Sequence, residues 1–352
     1  MKIKKIFSVL FSVLFCVILS CLACFLALRI SLSAPDSKSD MTEVHLEIPS
    51  GSSVSAIAEL LAGHRLIRSD RAFYIAARFP LLRFRKSSPA MKSGFYSLNS
   101  SMSAIQIMEI LESGAQDIIK VSIPEGLTIR KIAGILERNE VCAAEDFIAA
   151  ASNPVLLEKY AVPAPSFEGF LFPDTYFFAH GMTADRIVSI MVEAFFDKIS
   201  SIPYFQSKSP KDFFDTLVLA SIVEREYRVA EEAPLIASVF MNRVNAGVGL
   251  YSCATIEYII TEIQGKPHPD VITYDDLKLD SPYNTYKWAA LPPAPISNPG
   301  LVALEASANP PSTDYFYFTL ADSEAGRHVF SKSFNAHVKA GIQFRTKKSS
   351  GN

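Results

Sequence analysis

An uninterrupted run of 23 residues without a charge, at 6–28, constrains this chain more than any other feature. A helix rises about 1.5 Å per residue, so a run of this length crosses a hydrocarbon layer about 30 Å thick. Three lysines lie among residues 1–5, whereas positive charge after the run is sparser. By the positive-inside rule, the sequence predicts a cytoplasmic tail at 1–5, a transmembrane helix at 6–28 and an exported remainder.

A cleaved signal peptide and a lipidated cysteine are the alternatives to an anchor. A signal peptide shares the basic start, but its apolar region is shorter, roughly 7–15 residues. Cys21 or Cys24 could carry a lipid, although residues 25–28 continue apolar where a lipoprotein would turn polar. The length of the run therefore favours a single-pass anchor.

Cysteine and charge content exclude two classes of protein for the exported part. Only Cys142 and Cys253 lie beyond the apolar run, too few for a disulfide scaffold, so we expect a hydrophobic core to hold the fold. Lys and Arg total 34 against 36 Asp and Glu, a net charge of −2. This balance gives no electrostatic basis for a nucleic-acid partner.

Residues 29–42 are mostly small and polar and predict a linker, and an internal repeat follows it. The motif I-P-S-G at 48–51 returns as I-P-E-G at 123–126, and the apolar pattern after each copy is similar. Each copy has an alternating strand, a Pro/Gly turn and two helical patterns, the first capped by Ser or Thr. The sequence predicts two small βαα modules, one within 43–117 and one at 118–165.

From about residue 209 the pattern changes to long helices and then to Tyr/Pro/Asn-rich loops. Ser209 and Pro210 open a strongly apolar helix, and a second helix is predicted around 234–245. Prolines make the following loops rigid, and rigid loops are common sites of binding residues. The predicted fold class is α+β, with a mixed α/β domain over 118–345 and a tail at 346–352.

The most informative residue is a carboxylate on the apolar face of that first long helix. At about 100° per residue, one sector of about 60° holds the apolar residues Phe213, Leu217 and Ala220. Glu224 falls in the same sector. A carboxylate on an apolar face is desolvated, which raises its pKa and keeps it a proton donor near neutral pH. A structural ion pair with Arg225 or Arg228 at the helix end is the alternative, and physics alone favours it.

Other catalytic patterns are weak or absent from the sequence. The six histidines have no tight metal-ligand spacing, and neither a G-x-S-x-G elbow nor a Gly-rich phosphate loop occurs. A second acid for a two-carboxylate glycosidase would come from Glu168, Asp174 or Glu226, and no pattern distinguishes among them.

Several motifs, in the same order, resemble one family. They are E-G-F-L-F-P-D-T at 168–175, A-S-I-V-E-R-E at 220–226, V-F-M-N-R-V at 239–244, S-P-Y-N-T-Y at 281–286, L-P-P-A-P-I at 291–296, N-P-G at 298–300, Y-F-Y-F at 315–318, H-V-F at 328–330 and His337. The chain is thereby similar to the YceG-like family of endolytic murein transglycosylases over roughly 44–340.

The resemblance implies an inner-membrane, single-pass enzyme with a periplasmic or otherwise extracytoplasmic LysM-like module and catalytic domain. It implies cleavage within peptidoglycan glycan strands, between N-acetylmuramic acid and N-acetylglucosamine, leaving 1,6-anhydromuramyl ends. No metal or organic cofactor is needed for that reaction. Peptidoglycan synthases of the penicillin-binding class are further partners that the resemblance suggests.

The same resemblance assigns the site residues. The glutamate of A-S-I-x-E is the family's catalytic acid, which is Glu224 here. The matched motifs also contain most of the predicted substrate-binding residues, which are Ser281, Tyr283, Asn284, Thr285, Tyr286, Glu168, Asp174 and His328. Ser252 and Thr255, from a segment that follows the family less closely, complete the predicted set.

The chain departs from the family pattern at one segment. Where many relatives have L-Q-[ST]-D-P-T, residues 250–255 read L-Y-S-C-A-T. Tyr251 and Cys253 thus replace Gln and Asp, so we expect different hydrogen bonding in the pocket. Ser252 and Thr255 keep the family's type.

Two rival functions remain open at the level of sequence. A hydrolytic muramidase would use water and a second acid, and a non-catalytic wall-binding or assembly protein would rely on the βαα modules. The modules themselves either bind glycan or only hold the site away from the membrane.

Overall fold

The computed structural model describes residues 2–35, 43–83, 90–322 and 324–350. The chain divides into two compact units, one of residues 1–119 with 178–181 and one of residues 120–177 with 182–352. Helices and short two-stranded sheets make up both, in agreement with the predicted mixture of helix and sheet.

The first unit contains the apolar N-terminal helix and a small αβ core. Its elements are α1 (Lys2–Ser31), β1 (Val44–Ile48), α2 (Val54–Gly63), α3 (Asp70–Arg78), β2 (Gly94–Leu98) and α4 (Ala104–Ser113). Strands β1 and β2 pair antiparallel, with Val44 opposite Leu98. Leu46 and Ile48 alternate into the core, where Phe73 and Leu111 are also fully buried.

Helix α1 contains the predicted apolar span. Within it, Phe11–Ser31 has 21 residues with a mean hydropathy of 2.8, long and apolar enough to cross a membrane, as a signal sequence would also be. The helix continues past residue 28 into the predicted linker, and Leu32 beyond it is buried in the core of the first unit. The carbonyl of Leu32 accepts a hydrogen bond of 3.0 Å from the Ala104 N–H. Residues 36–42 of that linker lie outside the described residues.

The second unit holds the remaining elements. They are β3 (Ile118–Ser122, which begins in the first unit), α5 (Ile129–Arg138), α6 (Ala144–Ala150), α7 (Pro154–Lys159), β4 (Thr175–Ala179, which ends in the first), α8 (Ala184–Ile199), α9 (Pro203–Ser207), α10 (Pro210–Glu226), α11 (Ala233–Asn245), α12 (Cys253–Tyr258), α13 (Leu301–Ala308), β5 (Tyr317–Asp322), β6 (Arg327–Ser331) and α14 (Phe334–Ser350). Strand β3 pairs with β4, and β5 pairs antiparallel with β6. Helix α14 includes most of the predicted tail.

Both predicted strand–helix–helix units are present, as β1-α2-α3 and β3-α5-α6. Ser53 caps α2 and Thr128 caps α5 through their side-chain oxygens. The glycine of each I-P-x-G turn has a positive φ, +78° at Gly51 and +73° at Gly126, which a residue with a Cβ rarely adopts. The turn chemistry therefore explains why the motif recurs. The likeness of the first module to LysM stays a prediction.

Helix α10 positions the site. Ser209 accepts a hydrogen bond from the Asp212 N–H, and Pro210 occupies the first turn, as predicted. The helix packs against α11 and α13, and residues 216–223 are all buried. The buried Ser221 hydroxyl accepts from the Ile296 N–H at 3.0 Å, while the Ser297 hydroxyl donates to the Ser221 carbonyl at 2.9 Å. These bonds fix the loop before α13 against the helix.

Candidate active site

Glu224 lies in the last turn of α10, where the buried face of the helix reaches the surface. Its side chain is half-buried. Oε2 accepts a hydrogen bond of 2.9 Å from the N–H of Gly300, the N-cap residue of α13, and Oε1 is 3.4 Å from the Tyr227 hydroxyl. The carboxyl group is thus held between the end of one helix and the start of another.

The pKa of Glu224 is raised to about 7, mainly by burial and also by the negative charge of Glu125. The hydrogen bonds from Gly300 and Tyr227 act in the opposite direction without cancelling the effect. A pKa near neutrality populates both the acid and the carboxylate, which is the requirement for a group that first donates and then accepts a proton.

The structural ion pair weighed against catalysis is not formed. Arg225 pairs instead with Glu257, with 2.7 Å between Nη2 and Oε2, and Arg228 is exposed. Across the described residues, Glu224 has no ion pair with either arginine. Its hydrogen bonds to a backbone N–H and a tyrosine leave it free to exchange a proton.

Two glycines lie next to this site, and at one of them, Gly300, a side chain would not fit. A Cβ on Gly300 would lie 2.6 Å from Glu125 Cγ, and a Cβ on Gly126 would lie 3.5 Å from Glu224 Cγ. Glu125 therefore packs on the residue that hydrogen-bonds the acid. Glu125 was not among the site residues predicted from the sequence. The available signal was the repeat itself, because Glu125 replaces Ser50 of the first copy.

Glu168 is fully buried beneath the site and has several partners. Both carboxylate oxygens lie 3.2 Å from the Ile129 N–H at the start of α5, and Oε1 accepts from Asn298 Nδ2 at 2.9 Å. Burial raises its pKa to about 8. Asn298 Oδ1 in turn accepts from the Gly169 and Leu171 N–H groups, each at 2.9 Å. The structure places Glu168 in the framework that holds the loop before Gly300.

The predicted S-P-Y-N-T-Y residues divide into a buried and a half-exposed set. Asn284 is fully buried and donates to the carbonyls of Leu277 and Leu279, at 3.0 and 2.7 Å. Ser281 is also buried and accepts from the Tyr283 N–H at 3.3 Å. Their bonds shape the loop. The rings of Tyr283 and Tyr286 remain half-buried, so they carry the loop's accessible surface.

Ser252, Thr255 and Thr285 form a second group of predicted residues, next to Glu226 at the end of α10. The buried hydroxyls of Thr255 and Thr285 are 2.9 Å apart, and the Thr285 hydroxyl accepts from the Ser252 N–H. The Ser252 hydroxyl donates to Glu226 Oε1 at 2.5 Å, and burial raises the pKa of Glu226 to about 7. Helical periodicity places Glu226 on the polar side of α10, yet the loop that contains Ser252 covers it.

Two predicted residues have their contacts elsewhere. Asp174 is exposed, 3.5 Å from Lys198 Nζ. The His328 ring is buried, with Nδ1 2.8 Å from Glu232 Oε2 and its ring edge against Phe318. None of these contacts involves Glu224. Their predicted role in substrate binding stays a prediction.

One group of potential metal ligands lies in the first unit. Glu43, His45 and Asp117 each offer one ligand atom, and these atoms lie within 4.8 Å of one another. Glu43 and His45 are exposed, and the Ser97 hydroxyl already donates to Asp117 at 2.8 Å. The group shares no residue with the Glu224 site.

A helix-borne carboxyl group with a raised pKa, held by a backbone N–H and a tyrosine hydroxyl, is the arrangement that acid–base catalysis requires. A family model described as the YceG-like family matches residues 46–342. The chain belongs to this family, which confirms the predicted resemblance.

Sequence relatives and a solved structure belong to the same family. An endolytic murein transglycosylase of Bacillus subtilis (strain 168) is 33% identical over 326 residues, 88% of this chain and 87% of that protein. One of Streptococcus pneumoniae serotype 2 is 31% identical over 326 residues, 84% of this chain but 57% of the longer relative. A 2.6 Å crystal structure of a yceG-like protein from Listeria monocytogenes superposes with a TM-score of 0.57 at 30% identity, covering 85% of this chain and 99% of that one.

Proposed function

We propose that this protein is a lytic murein transglycosylase that cuts within peptidoglycan glycan strands, with Glu224 as its general acid and base. The names of the relatives support the reaction class. The observation that carries the residue assignment is the half-buried carboxyl group, with a pKa near 7, held by the Gly300 N–H.

The bond cleaved is the β-1,4 link from N-acetylmuramic acid to N-acetylglucosamine. Protonated Glu224 donates its proton to the glycosidic oxygen, and the C1–O bond breaks with its electron pair on that oxygen. The muramyl C1 becomes oxocarbenium-like. The Glu224 carboxylate then takes the proton of the muramyl C6 hydroxyl, whose oxygen bonds to C1. The products are a free 4-hydroxyl and a 1,6-anhydro ring, and no water is consumed.

A hydrolytic muramidase is the second candidate, and Glu125 is the observation that favours it. Its side chain packs against Gly300 beside Glu224, where a second carboxylate could activate a water molecule. The two routes differ in product mass, because an anhydro end weighs one water less than a reducing end.

The site acts outside the cytoplasm, on a chain anchored by α1 in the inner membrane. The apolar span of α1 and the basic residues before it support this topology. Glycan strands are the substrate, and synthases of the penicillin-binding class are the partners that would supply fresh strands.

The test uses the full chain in detergent with purified, uncrosslinked glycan strands and mass spectrometry of the products. We expect anhydro-ended fragments from the parent and a loss of about 10²–10⁴-fold in rate for Glu224→Gln, the range for removal of a general acid–base group. Glu231→Gln, at an exposed glutamate seven residues on, is the matched control and keeps full activity. Fragment release by Glu224→Gln at the parent's rate would exclude the assignment and favour a wall-binding protein.

A further inference from the structure

A cavity of about 400 Å³ lies beside the last residue of α10. Most of its lining side chains are aromatic, a few are polar, and the mechanism above uses none of them. The residues that matter below are Tyr251, Tyr286, Arg243, Glu226 and Ser252. Cavities that are mainly apolar with a few placed polar groups are typical of small-ligand sites.

Tyr251 is held in an unfavourable backbone conformation. Its φ is +54°, a region that residues other than glycine rarely adopt. Its side chain is nevertheless half exposed, so burial of the ring does not explain the conformation. Backbone strain of this kind that persists at a cavity points to a functional role for the side chain.

The contacts of Tyr251 fix the plane of its ring. The Arg243 guanidinium lies 5.1 Å from the ring centre, and the Tyr286 ring lies 5.4 Å away at an angle of 32°. A Cβ on Gly249 would come within 2.7 Å of Tyr251 Cε1, so the absence of a side chain there makes room for the ring.

Arg243 is itself immobilised. Its Nε donates to the Phe316 carbonyl at 2.6 Å and Nη1 donates to the Gly249 carbonyl at 2.8 Å. The guanidinium also lies 4.9 Å from the centre of the Tyr317 ring. The arginine is therefore held in place as a support for Tyr251, with its Nε and Nη1 donors engaged by backbone carbonyls.

Glu226 gives the cavity one free hydrogen-bond acceptor. Glu226 Oε1 is taken by the Ser252 hydroxyl at 2.5 Å. Within the parts of the chain that the structure describes, Oε2 has no hydrogen-bond partner. An amide N–H or a hydroxyl of a ligand would satisfy it, whereas a ligand carboxylate would meet a carboxyl group that carries negative charge above its pKa of about 7.

We infer that this cavity is a subsite for a neutral 2-acetamido pyranose, with the sugar ring on Tyr251 and its acetamido N–H on Glu226 Oε2. The inference rests on the proposed function, which makes glycan the substrate, and deepens it. Glu226 follows Glu224 by two residues on one helix, so the two carboxylates lie on different sides of α10 and the subsite would hold a sugar of the strand other than the one that receives the proton. Tyr251 and Cys253 replace the Gln and Asp of the family motif, which means that stacking takes the place of polar contacts at this position.

The test measures binding of tetra-N-acetylchitotetraose to the full chain in detergent by titration calorimetry at pH 7.5. Tyr251→Gly removes the ring, and since glycine adopts a φ of +54° readily, the fold is kept and its melting temperature does not fall. We expect Tyr251→Gly to weaken binding at least tenfold and Tyr251→Phe to stay within twofold of the parent. Equal affinity of Tyr251→Gly and parent, or no binding by the parent, would overturn the subsite.

Two further arms separate this inference from the proposed function. Glu224→Gln should bind the tetrasaccharide as the parent does, because Glu224 lies outside the cavity lining. If Glu224→Gln keeps its activity, the catalytic assignment fails while the binding results still decide the subsite. N-acetylmuramic acid should compete with the tetrasaccharide at least tenfold more weakly than N-acetylglucosamine does. Equal competition would refute the preference for a neutral sugar.

Discussion

The backbone N–H of Gly300 donates a 2.9 Å hydrogen bond to Glu224 Oε2 and so joins the start of α13 to the last turn of α10. The N-terminus of a helix carries partial positive charge, which favours the ionised form of a nearby carboxylate. Burial and Glu125 favour the neutral form and prevail, because the pKa is raised to about 7. The balance of these opposing effects meets the requirement of the proposed role, in which Glu224 acts as acid and then as base.

Gly300→Ala should impair catalysis without preventing folding. The backbone at 300 has a φ of −82° and a ψ of 179°, which alanine adopts freely, but its Cβ would lie 2.6 Å from Glu125 Cγ. Either Glu125 or the N–H that holds Glu224 must move, and small displacements of a catalytic group are costly. We expect at least a tenfold loss of glycan cleavage. Gly63→Ala, with open space around it, is the control and should be fully active.

Glu125→Gln should shift the pH dependence of cleavage. The negative charge of Glu125 raises the pKa of Glu224, so its removal lowers that pKa and the proton donor is lost at a lower pH. The alkaline limb of the kcat/KM profile should therefore move towards acid. Glu145→Gln, at an exposed glutamate of α6, should leave the profile unchanged. An unshifted limb in Glu125→Gln would mean that the two carboxylates are not coupled.

Asn298→Ala should destabilise the second unit. The amide accepts from the Gly169 and Leu171 N–H groups and donates to Glu168, so its removal leaves several buried polar groups unpaired. Each such group costs about 1–3 kcal/mol, and we expect a loss of about 3 kcal/mol or more in the free energy of unfolding by urea. Asn309→Ala, at an exposed site, should change it by less than about 0.5 kcal/mol.

Folding stability should fall as the pH rises from about 4.5 to about 8. The pKa of Glu168 is raised to about 8 in the folded protein, so the unfolded chain releases this proton first and the stabilisation present at low pH is lost through that window. Glu168→Gln cannot ionise. The slope of its free energy of unfolding against pH should be shallower than that of the parent, by up to about 1.4 kcal/mol per pH unit. Parallel curves for parent and variant would show that Glu168 ionises normally in the fold.

The full-length chain should remain in the membrane fraction after an alkaline carbonate wash, with residues 1–31 intact by mass spectrometry. The span in α1 is long enough to hold it there. Replacing Leu19 and Leu22 by arginine within that span should release the protein, because charge at the centre of a bilayer is costly. A soluble product that begins after the apolar run would identify α1 as a cleaved signal instead.

Local pattern predicted much of this structure. Ser209 and Pro210 placed the start of α10 correctly, because a helix cap acts over only a few residues. Helical periodicity placed Glu224 at the edge of the core. The repeat was visible because its turn needs glycine at one position.

What the pattern could not supply depends on distant segments. Gly300 and Glu125 reach Glu224 from 76 and 99 residues away along the chain, so no local signal joins them. Asn284 looked like a sugar ligand, yet a polar side chain within a tight loop is equally suited to bonding the loop's own carbonyls. Helical periodicity places Glu226 on the polar side of α10, and its contact with Ser252 comes from a loop 26 residues further along the chain.

The burial of Leu32 determines how the first unit is connected to helix α1. Helix α1 runs without a break to Ser31, and the next residue is packed and hydrogen-bonded inside the first unit. The end of helix α1 is therefore joined directly to the core of the first unit. With α1 as the proposed anchor, the first unit would begin directly at the membrane surface, with no free linker between the helix and its core.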